Sequence, residues 1–146
     1  MELERRSQAY AGDLSAPDAW ELLVREPDAQ LIDVRTSAEW MFVGLPEISA
    51  IGRPLHRLEW QSFPAMTPNA DFVAQAGAAL GGNKTAPVLF LCRSGARSRA
   101  AAAAMTGAGY TRSFNIAGGF EGDLDHERHR GRKNGWKAAG LPWIQT

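Results

Sequence analysis

The chain has 146 residues, of which 45% are apolar and 22% are charged, and this is the length and balance of one globular domain. Its formal net charge of zero argues against binding nucleic acid through bulk charge, and it has no apolar run of the ~18 residues that a membrane span needs. The single cysteine excludes both an intrachain disulfide and a structural zinc cage of thiolates.

The first third of the chain alternates predicted strands with predicted helices. Residues 1–12 are polar and lack the apolar core of a signal peptide, so we expect a flexible start in a cytoplasmic protein. Ser15 and Asp18 form a variant of the helix capping box. The elements predicted here are a strand at 13–14, a helix over 16–25, a strand over 30–34 and a helical turn over 37–41.

The middle of the chain is interrupted by helix and strand breakers. These breakers are Pro46, Gly52, Pro54 and Pro64. Between them the sequence predicts a short strand near residues 51–55. Asn69 is then expected to cap a helix over residues 70–80, which ends at two consecutive glycines.

The second half begins with P-V-L-F-L at residues 87–91, a fully apolar run typical of a parallel strand that is covered on both faces. An alanine-rich helix over residues 98–108, a strand over 112–116 and a short helix opened by Gly118–Gly119 follow. From residue 125 the chain is polar and glycine-rich. We expect this extension, residues 125–146, to wrap the domain or an interface, with Trp136 and Trp143 as anchors.

Strands that alternate with helices predict an α/β domain with a mainly parallel sheet. Ligands of such sheets bind at the carboxyl ends of the strands, and Cys92 stands directly after one strand. The loop that follows reads C-R-S-G-A-R-S. Gly95 permits a sharp bend, and the small side chains of Ser94 and Ala96 leave the backbone open.

The amides of residues 93–98 are therefore expected to surround the sulfur of Cys92 as an anion-binding nest, with Arg93 and Arg97 at its rim. A helix N-terminus and neighbouring cations favour a thiolate, which is the nucleophilic form of cysteine. Such a thiolate can take a sulfur atom from an anionic donor and pass it on in a double displacement. The alternative is a buried cysteine that only packs at the end of a strand.

The same loop is also compatible with different activities. Cysteine-dependent phosphatases and arsenate reductases resemble this loop, but they place an arginine after five intervening residues. Here Arg97 comes one residue early and Ser98 holds that position, so the smaller loop favours a sulfur atom over a tetrahedral oxyanion. A non-catalytic binding module and a persulfide carrier that docks to a partner protein are also compatible with the fold.

Three segments together resemble the rhodanese homology domain. They are L-I-D-V-R-T-S-A-E-W at residues 31–40, the C-R-S-G-A-R-S loop at 92–98 and N-I-A-G-G-F at 115–120. The chain departs from the family between the first two, where it has M-F-V-G-L-P-E-I-S-A-I-G-R in place of a Gly-His-Ile and Gly-Ala pattern.

The resemblance implies a rhodanese-like three-layer domain over residues 13–124, with a five-stranded, mainly parallel sheet and helices on both faces. It implies that Cys92 carries a sulfane sulfur from thiosulfate to cyanide or a thiol. The substrate-binding residues would be Arg93, Ser94, Gly95, Ala96, Arg97 and Ser98. Asp33 and Arg35 would support the loop, and we interpret Asp33 as a structural group that braces backbone or an arginine.

The expected partners are a small anionic sulfur donor, a thiol or cyanide acceptor and an acceptor protein, with a homodimer as a further expectation. No metal and no organic cofactor are expected. His126 and His129 lie three apart among charged residues, which we interpret as a solvated surface.

Overall fold

A computed structural model describes residues 9–145 of the chain. Most of the predicted flexible start, residues 1–8, lies outside the described residues. Gly12, which the sequence assigned to that start, already belongs to the first strand.

The domain has one main sheet and four helices of the α type among the described residues. The main strands are β1 (Gly12–Leu14), β2 (Gln30–Asp33), β4 (Leu55–Arg57), β7 (Val88–Leu91) and β8 (Ser113–Ile116). The shorter strands are β3 (Leu45–Pro46), β5 (Gln61–Ser62), β6 (Thr67–Pro68) and β9 (Trp143–Ile144). The helices are α1 (Ala16–Arg25), α2 (Ser37–Phe42), α3 (Phe72–Ala79) and α4 (Ala96–Gly107). The five main strands are parallel and lie in the order β1-β8-β7-β2-β4, which confirms the predicted fold class.

Helices cover both faces of this sheet. Leu31 and Leu89 face the layer that contains α1, whereas Ile32 and Phe90 face the layer of α3 and α4. All four residues of β7 are buried, as the uninterrupted apolar run predicts. Cys92 continues the side of Phe90 and belongs to the α3 and α4 layer.

Local signals set the ends of α1 as the sequence predicts. The Ser15 hydroxyl accepts a hydrogen bond from the amide of Asp18 at 3.2 Å, and Pro17 occupies the first turn. The helix ends at Glu26, whose backbone is extended, as is usual for a residue before a proline.

The segment after residue 125 packs on the α1 side of the sheet. Trp136 is fully buried, stacks edge-on against Trp20 at 5.9 Å and donates through Nε1 to the carbonyl of Pro142 at 2.7 Å. Trp143 is 39% exposed and lies in β9, which pairs antiparallel with β3. No helix within residues 9–145 has the length and apolarity to cross a membrane.

The structure corrects one predicted helix. Gly118 and Gly119 do not open a helix, because both have positive φ angles of 82° and 60° and the chain turns there. These turns bring the backbone against the loop of Cys92.

Other elements are displaced along the chain. The strand predicted near residues 51–55 is replaced by a turn of 3-10 helix at Ser49–Ile51, and β4 begins at Leu55, where it aligns with Leu31 of β2. Helix α3 begins at Phe72 because the Asn69 side chain accepts from the amide of Asp71 and holds a turn there. Helix α4 begins two residues earlier than predicted.

Candidate active site

The lone thiol lies between strand β7 and helix α4. Cys92 is 1% exposed and packs in the apolar layer beside α4. Its Sγ nevertheless accepts two hydrogen bonds, from the amide of Gly95 and from the hydroxyl of Ser98, both at 3.1 Å. The sulfur therefore has polar partners aimed at it, and a cysteine that only fills space at a strand end has none.

The loop backbone offers further donors around this sulfur. Gly95 donates its amide to Sγ and has a φ of 125°, a conformation that favours glycine and in which the chain turns from the loop into α4. The first backbone bond of α4 runs from the amide of Arg99 to the carbonyl of Gly95. Within residues 9–145, the amides of Ala96, Arg97 and Ser98 have no protein acceptor, as expected for the first turn of a helix. An anion beside Cys92 would thus meet unpaired N–H groups.

The turns at residues 118–122 hold the loop from behind. The amide of Phe120 donates to the carbonyl of Cys92 at 2.8 Å, and the amides of Glu121 and Gly122 donate to the carbonyl of Arg93 at 3.0 and 3.1 Å. A Cβ atom at Gly119 would collide with the carbonyl oxygen of Cys92 and lie 2.6 Å from backbone atoms of Arg93. Because these carbonyls are fixed away from the sulfur, the loop amides can face it.

A chain of polar side chains extends from the sulfur to strand β1. The Ser98 hydroxyl lies 2.5 Å from Oδ1 of Asn115, and Nδ2 of Asn115 donates to Asp13 at 2.9 Å. The Tyr10 hydroxyl donates to the same Asp13 oxygen at 2.9 Å. A carboxylate only accepts, so Nδ2 must face Asp13 and Oδ1 must face Ser98. This arrangement fixes the position of the Ser98 oxygen beside Sγ.

Arg97 lies at the rim as predicted, but its guanidinium is paired. Its Nη1 and Nη2 donate to the two oxygens of Glu39 at 2.7 and 2.9 Å, a bidentate geometry. Burial raises the pKa of Glu39, but hydrogen bonds from Arg97 and Thr36 lower it by a larger amount. The resulting pKa is about 2. The same hydrogen bonds to Glu39 raise the pKa of Arg97, although burial acts in the opposite direction. An anionic donor would therefore share Arg97 with Glu39.

Asp33 and Arg35 form a buried ion pair at the end of β2. Both side chains are fully buried, with Nη2 to Oδ2 at 2.6 Å and Nε to Oδ1 at 2.9 Å. The Arg35 guanidinium also lies 4.3 Å from the centroid of the Phe120 ring, and Phe120 is one of the residues that hold the loop. The carboxylate charge of Asp33 is thus paired with a buried arginine behind the loop.

A cavity of about 740 Å³ borders the loop. Arg93 and Arg97 contribute to its lining from the loop, while Phe42, Phe63 and Met66 contribute apolar surface. The Arg93 side chain is exposed, and within residues 9–145 it has no carboxylate partner. The cavity beside the loop therefore has both cationic and apolar groups in its lining.

The sequence model of one protein family, the rhodanese-like domain, matches residues 15–125 of the chain. The chain belongs to the rhodanese-like family. The match covers both the loop of Cys92 and the turns that hold it, and it confirms the resemblance that the three sequence segments indicate.

Similar proteins support this assignment along nearly the whole chain. An uncharacterized RP600 homologue of Rickettsia rickettsii is 35% identical over 131 residues, which are 90% of this chain and 95% of that protein. The crystal structure of Rv0390 from M. tuberculosis is 47% identical, with a TM-score of 0.81, and the match covers 94% of this chain and 99% of that one. The solution structure of the polysulfide-sulfur transferase homodimer from Wolinella succinogenes has a TM-score of 0.60 at 23% identity, covering 97% and 84% of the two chains, and so shares the fold.

In this rhodanese-like protein the structure brings Cys92, Gly95 and Ser98 together and places Arg93 and Arg97 at the rim, while Asp33 and Arg35 lie behind the loop. The sequence analysis assigned no site role to Asn115, Glu39 or Gly119, although all three lie in the segments that resemble the family. A polar residue inside the S-F-N-I strand was the available signal for Asn115, and Glu39 stood within the recognised 31–40 segment.

The segment around His126 and His129 contains a group of potential metal ligands that also make contacts within the protein. Asp125, Glu127 and His129 bring potential ligand atoms within 4.8 Å of one another. However, Arg132 lies 2.9 Å from Glu127 and 3.8 Å from Asp125, and an Asp125 oxygen accepts from the amides of Glu127 and His129. These groups hold a surface turn.

Proposed function

We propose that this protein is a sulfurtransferase that moves a sulfane sulfur from thiosulfate, or a related anionic donor, to cyanide or a thiol through a persulfide on Cys92. The observation that carries the proposal is the pair of donors at 3.1 Å from Sγ, beside unpaired amides at the start of α4. Membership of the rhodanese-like family supports the same chemistry. A polysulfide-sulfur transferase that shares the fold is consistent with it.

The reaction balances as two displacements. The Cys92 thiolate attacks the outer sulfur of thiosulfate, the new S–S bond forms, and sulfite leaves with the electron pair of the bond that breaks. In the second step cyanide or a thiolate attacks the outer sulfur of the persulfide, and Cys92 leaves as a thiolate. The chain has no second cysteine, so the acceptor comes from another molecule.

The polar groups of the site fit both steps. Gly95 and Ser98 stabilise the negative sulfur that exists before the first step and after the second. The free amides of Ala96 to Ser98 are suited to the outer sulfur of a persulfide, which extends about 2 Å beyond Sγ. We place this chemistry in the cytoplasm, where thiols stay reduced.

The decisive experiment is intact-mass measurement after incubation with thiosulfate. The wild-type protein should gain one sulfur atom, and cyanide should remove it as thiocyanate. Cys92→Ser should gain none and should show no transfer, while its circular dichroism spectrum stays that of the wild type. A Cys92→Ser variant that still transfers sulfur would refute the mechanism.

The same preparation distinguishes this activity from its rivals. Turnover of a phosphate ester without any mass gain would favour a phosphatase. A persulfide that forms once and is released only to a partner protein would favour a carrier. Self-association stays a prediction, and sedimentation of the purified chain would measure it.

A further inference from the structure

The cavity that borders the Cys92 loop is much larger than the substrates used to assay sulfurtransferases. It measures about 740 Å³, within the ~300–1,000 Å³ typical of sites for organic ligands. Cyanide is close in size to a water molecule, which takes up ~30 Å³ in the liquid. A cavity that served only cyanide and thiosulfate would be left mostly filled with solvent.

The walls of this cavity have two chemical characters. Phe63, which is 63% exposed, and Phe42, which is 75% exposed, present aromatic surface together with Met66. Exposed aromatic side chains gathered at a concave site are typical of places that bind apolar groups. Because they come from different parts of the chain, only the fold brings them to the loop.

The charged groups of the cavity favour an anion. Three arginines and two glutamates contribute to the lining, namely Arg93, Arg97, Arg130, Glu39 and Glu121. Glu39 is already occupied by Arg97. The charged groups that remain are two arginines, Arg93 and Arg130, and one glutamate, Glu121, so the remaining charge is positive. The guanidinium of Arg93 is the one most open to a ligand, since it is exposed and has no carboxylate partner within residues 9–145.

We propose that the physiological acceptor is a small organic thiol that carries both an apolar group and a carboxylate. This inference rests on the proposed function. The apolar group would lie against Phe63, Phe42 and Met66, and the carboxylate would bind Arg93. The thiolate of the acceptor attacks the outer sulfur of the Cys92 persulfide, takes that sulfur as its own persulfide, and releases the Cys92 thiolate. Because sulfite has left before the acceptor binds, Arg93 can serve the donor and the acceptor in turn.

The test uses the persulfide form of the full chain, prepared with thiosulfate and freed of it, so that only the acceptor step is measured. Loss of the extra sulfur is followed by intact mass with 2-mercapto-3-phenylpropionate, which has both features. The reference acceptors are 2-phenylethanethiol, 3-mercaptopropionate and cyanide, which lack one feature or both. The readout is the second-order rate constant of each acceptor divided by that of cyanide.

In the wild type this ratio should be highest for 2-mercapto-3-phenylpropionate, and the observed rate with this acceptor should saturate as its concentration rises. Phe63→Ala and Arg93→Gln should each lower its ratio about three- to tenfold, the cost of losing one apolar or ionic contact. Arg93→Glu should in addition raise the ratio of cysteamine, a thiol with a cation in place of the carboxylate. Val24→Ala and Arg25→Gln, at exposed sites on α1, are the matched controls and should leave every ratio unchanged.

The outcomes separate the two proposals. If thiosulfate yields no persulfide at all, the proposed function itself fails. If the persulfide forms, but the ratios follow only the basicity of each thiol and do not respond to Phe63→Ala or Arg93→Glu, the acceptor proposal is overturned while the sulfurtransferase chemistry stands.

Discussion

The sulfur of Cys92 is held where water is nearly excluded, and this makes each of its hydrogen bonds important. A charged sulfur in an apolar layer is unstable unless donors replace the water that it loses. Gly95 and Ser98 are those donors. The Ser98 hydroxyl has one proton, and its three neighbours are all acceptors: Sγ of Cys92, Oδ1 of Asn115 and the carbonyl oxygen of Gly95. A thiolate is the stronger acceptor because it is charged, so ionisation of Cys92 should draw that proton toward sulfur.

Ser98→Ala tests this donor. Removing one hydrogen bond to a charged group costs about 1.5–3 kcal/mol, so persulfide formation from thiosulfate should slow about 10- to 100-fold at neutral pH. The measurement is the rate of mass gain at fixed thiosulfate. Ser49→Ala, an exposed serine far along the chain from the loop, is the control and should react at the wild-type rate. An unchanged rate in Ser98→Ala would show that Ser98 only packs.

Glu39 competes with the donor for Arg97, and Glu39→Gln should reveal this competition. Without the carboxylate, Arg97 is freer to bind an anion, so the apparent KM for thiosulfate should fall. Ser62→Ala, at an exposed position near the cavity, is the control. A KM that rises in Glu39→Gln would show that Glu39 instead holds Arg97 in its productive position.

The same variant changes the response to acid. The pKa of Glu39 is lowered from 4.5 to about 2, so its stabilising effect is complete above pH 4.5 and is lost as the pH falls toward 2. Urea unfolding of the wild type should therefore show a loss of stability in this window that is smaller in Glu39→Gln. Equal losses in the two proteins would contradict the assignment.

At the scale of elements, the active loop depends on a separate segment further along the chain. Phe120, Glu121 and Gly122 donate to the carbonyls of Cys92 and Arg93, and the close approach leaves no room for a side chain at Gly119. Two successive glycines break helices, yet here their positive φ angles let the backbone reach the loop. The orientation of the loop amides is thus a property of two elements in contact.

Gly119→Ala should damage both folding and transfer, because the new Cβ meets the backbone of Cys92 and Arg93, which cannot move away without displacing the loop. We expect a loss of at least ~2 kcal/mol in the free energy of unfolding and a large drop in transfer rate. Gly52→Ala is the matched control, since Gly52 also has a positive φ of 73° but nothing lies within 4 Å of a Cβ there. The Gly52→Ala variant should lose only about 1 kcal/mol in the free energy of unfolding and should keep its transfer activity.

At the scale of the whole molecule, the C-terminal segment completes the core on the face away from Cys92. Trp136 is fully buried in the layer that contains α1, and β9 pairs with β3 as an antiparallel strand. Burying one tryptophan contributes more to stability than any exposed ion pair on this protein. The extension therefore contributes to the stability of the domain core, although it follows residues 15–125, which the family model matches.

Trp136→Ala should cost about 3–5 kcal/mol in the free energy of unfolding, as expected for a large aromatic removed from a core. Trp143→Ala is the natural comparison, because that ring is 39% exposed and should cost much less. Urea unfolding followed by circular dichroism measures both. Similar small losses would mean that the extension is not an integral part of the core.

The sequence by itself determined what local physics controls. The apolar run of β7 predicted a strand covered on both faces, Ser15 and Pro17 predicted the start of α1, and the C-R-S-G-A-R-S sequence predicted a tight loop between a strand and a helix. Each of these depends on residues that are close along the chain, where propensity and sterics act directly.

Only the tertiary structure decided which distant groups meet around the Cys92 loop. Glu39 reaches Arg97 across 58 positions of sequence and Asn115 reaches Ser98 across 17, while Phe42 and Phe63 join the loop in one cavity. Such pairings depend on strand order and packing, which no local pattern encodes. The same reason explains why the Gly118–Gly119 helix was predicted wrongly: its backbone conformation is set by contact with the Cys92 loop, not by its own residues.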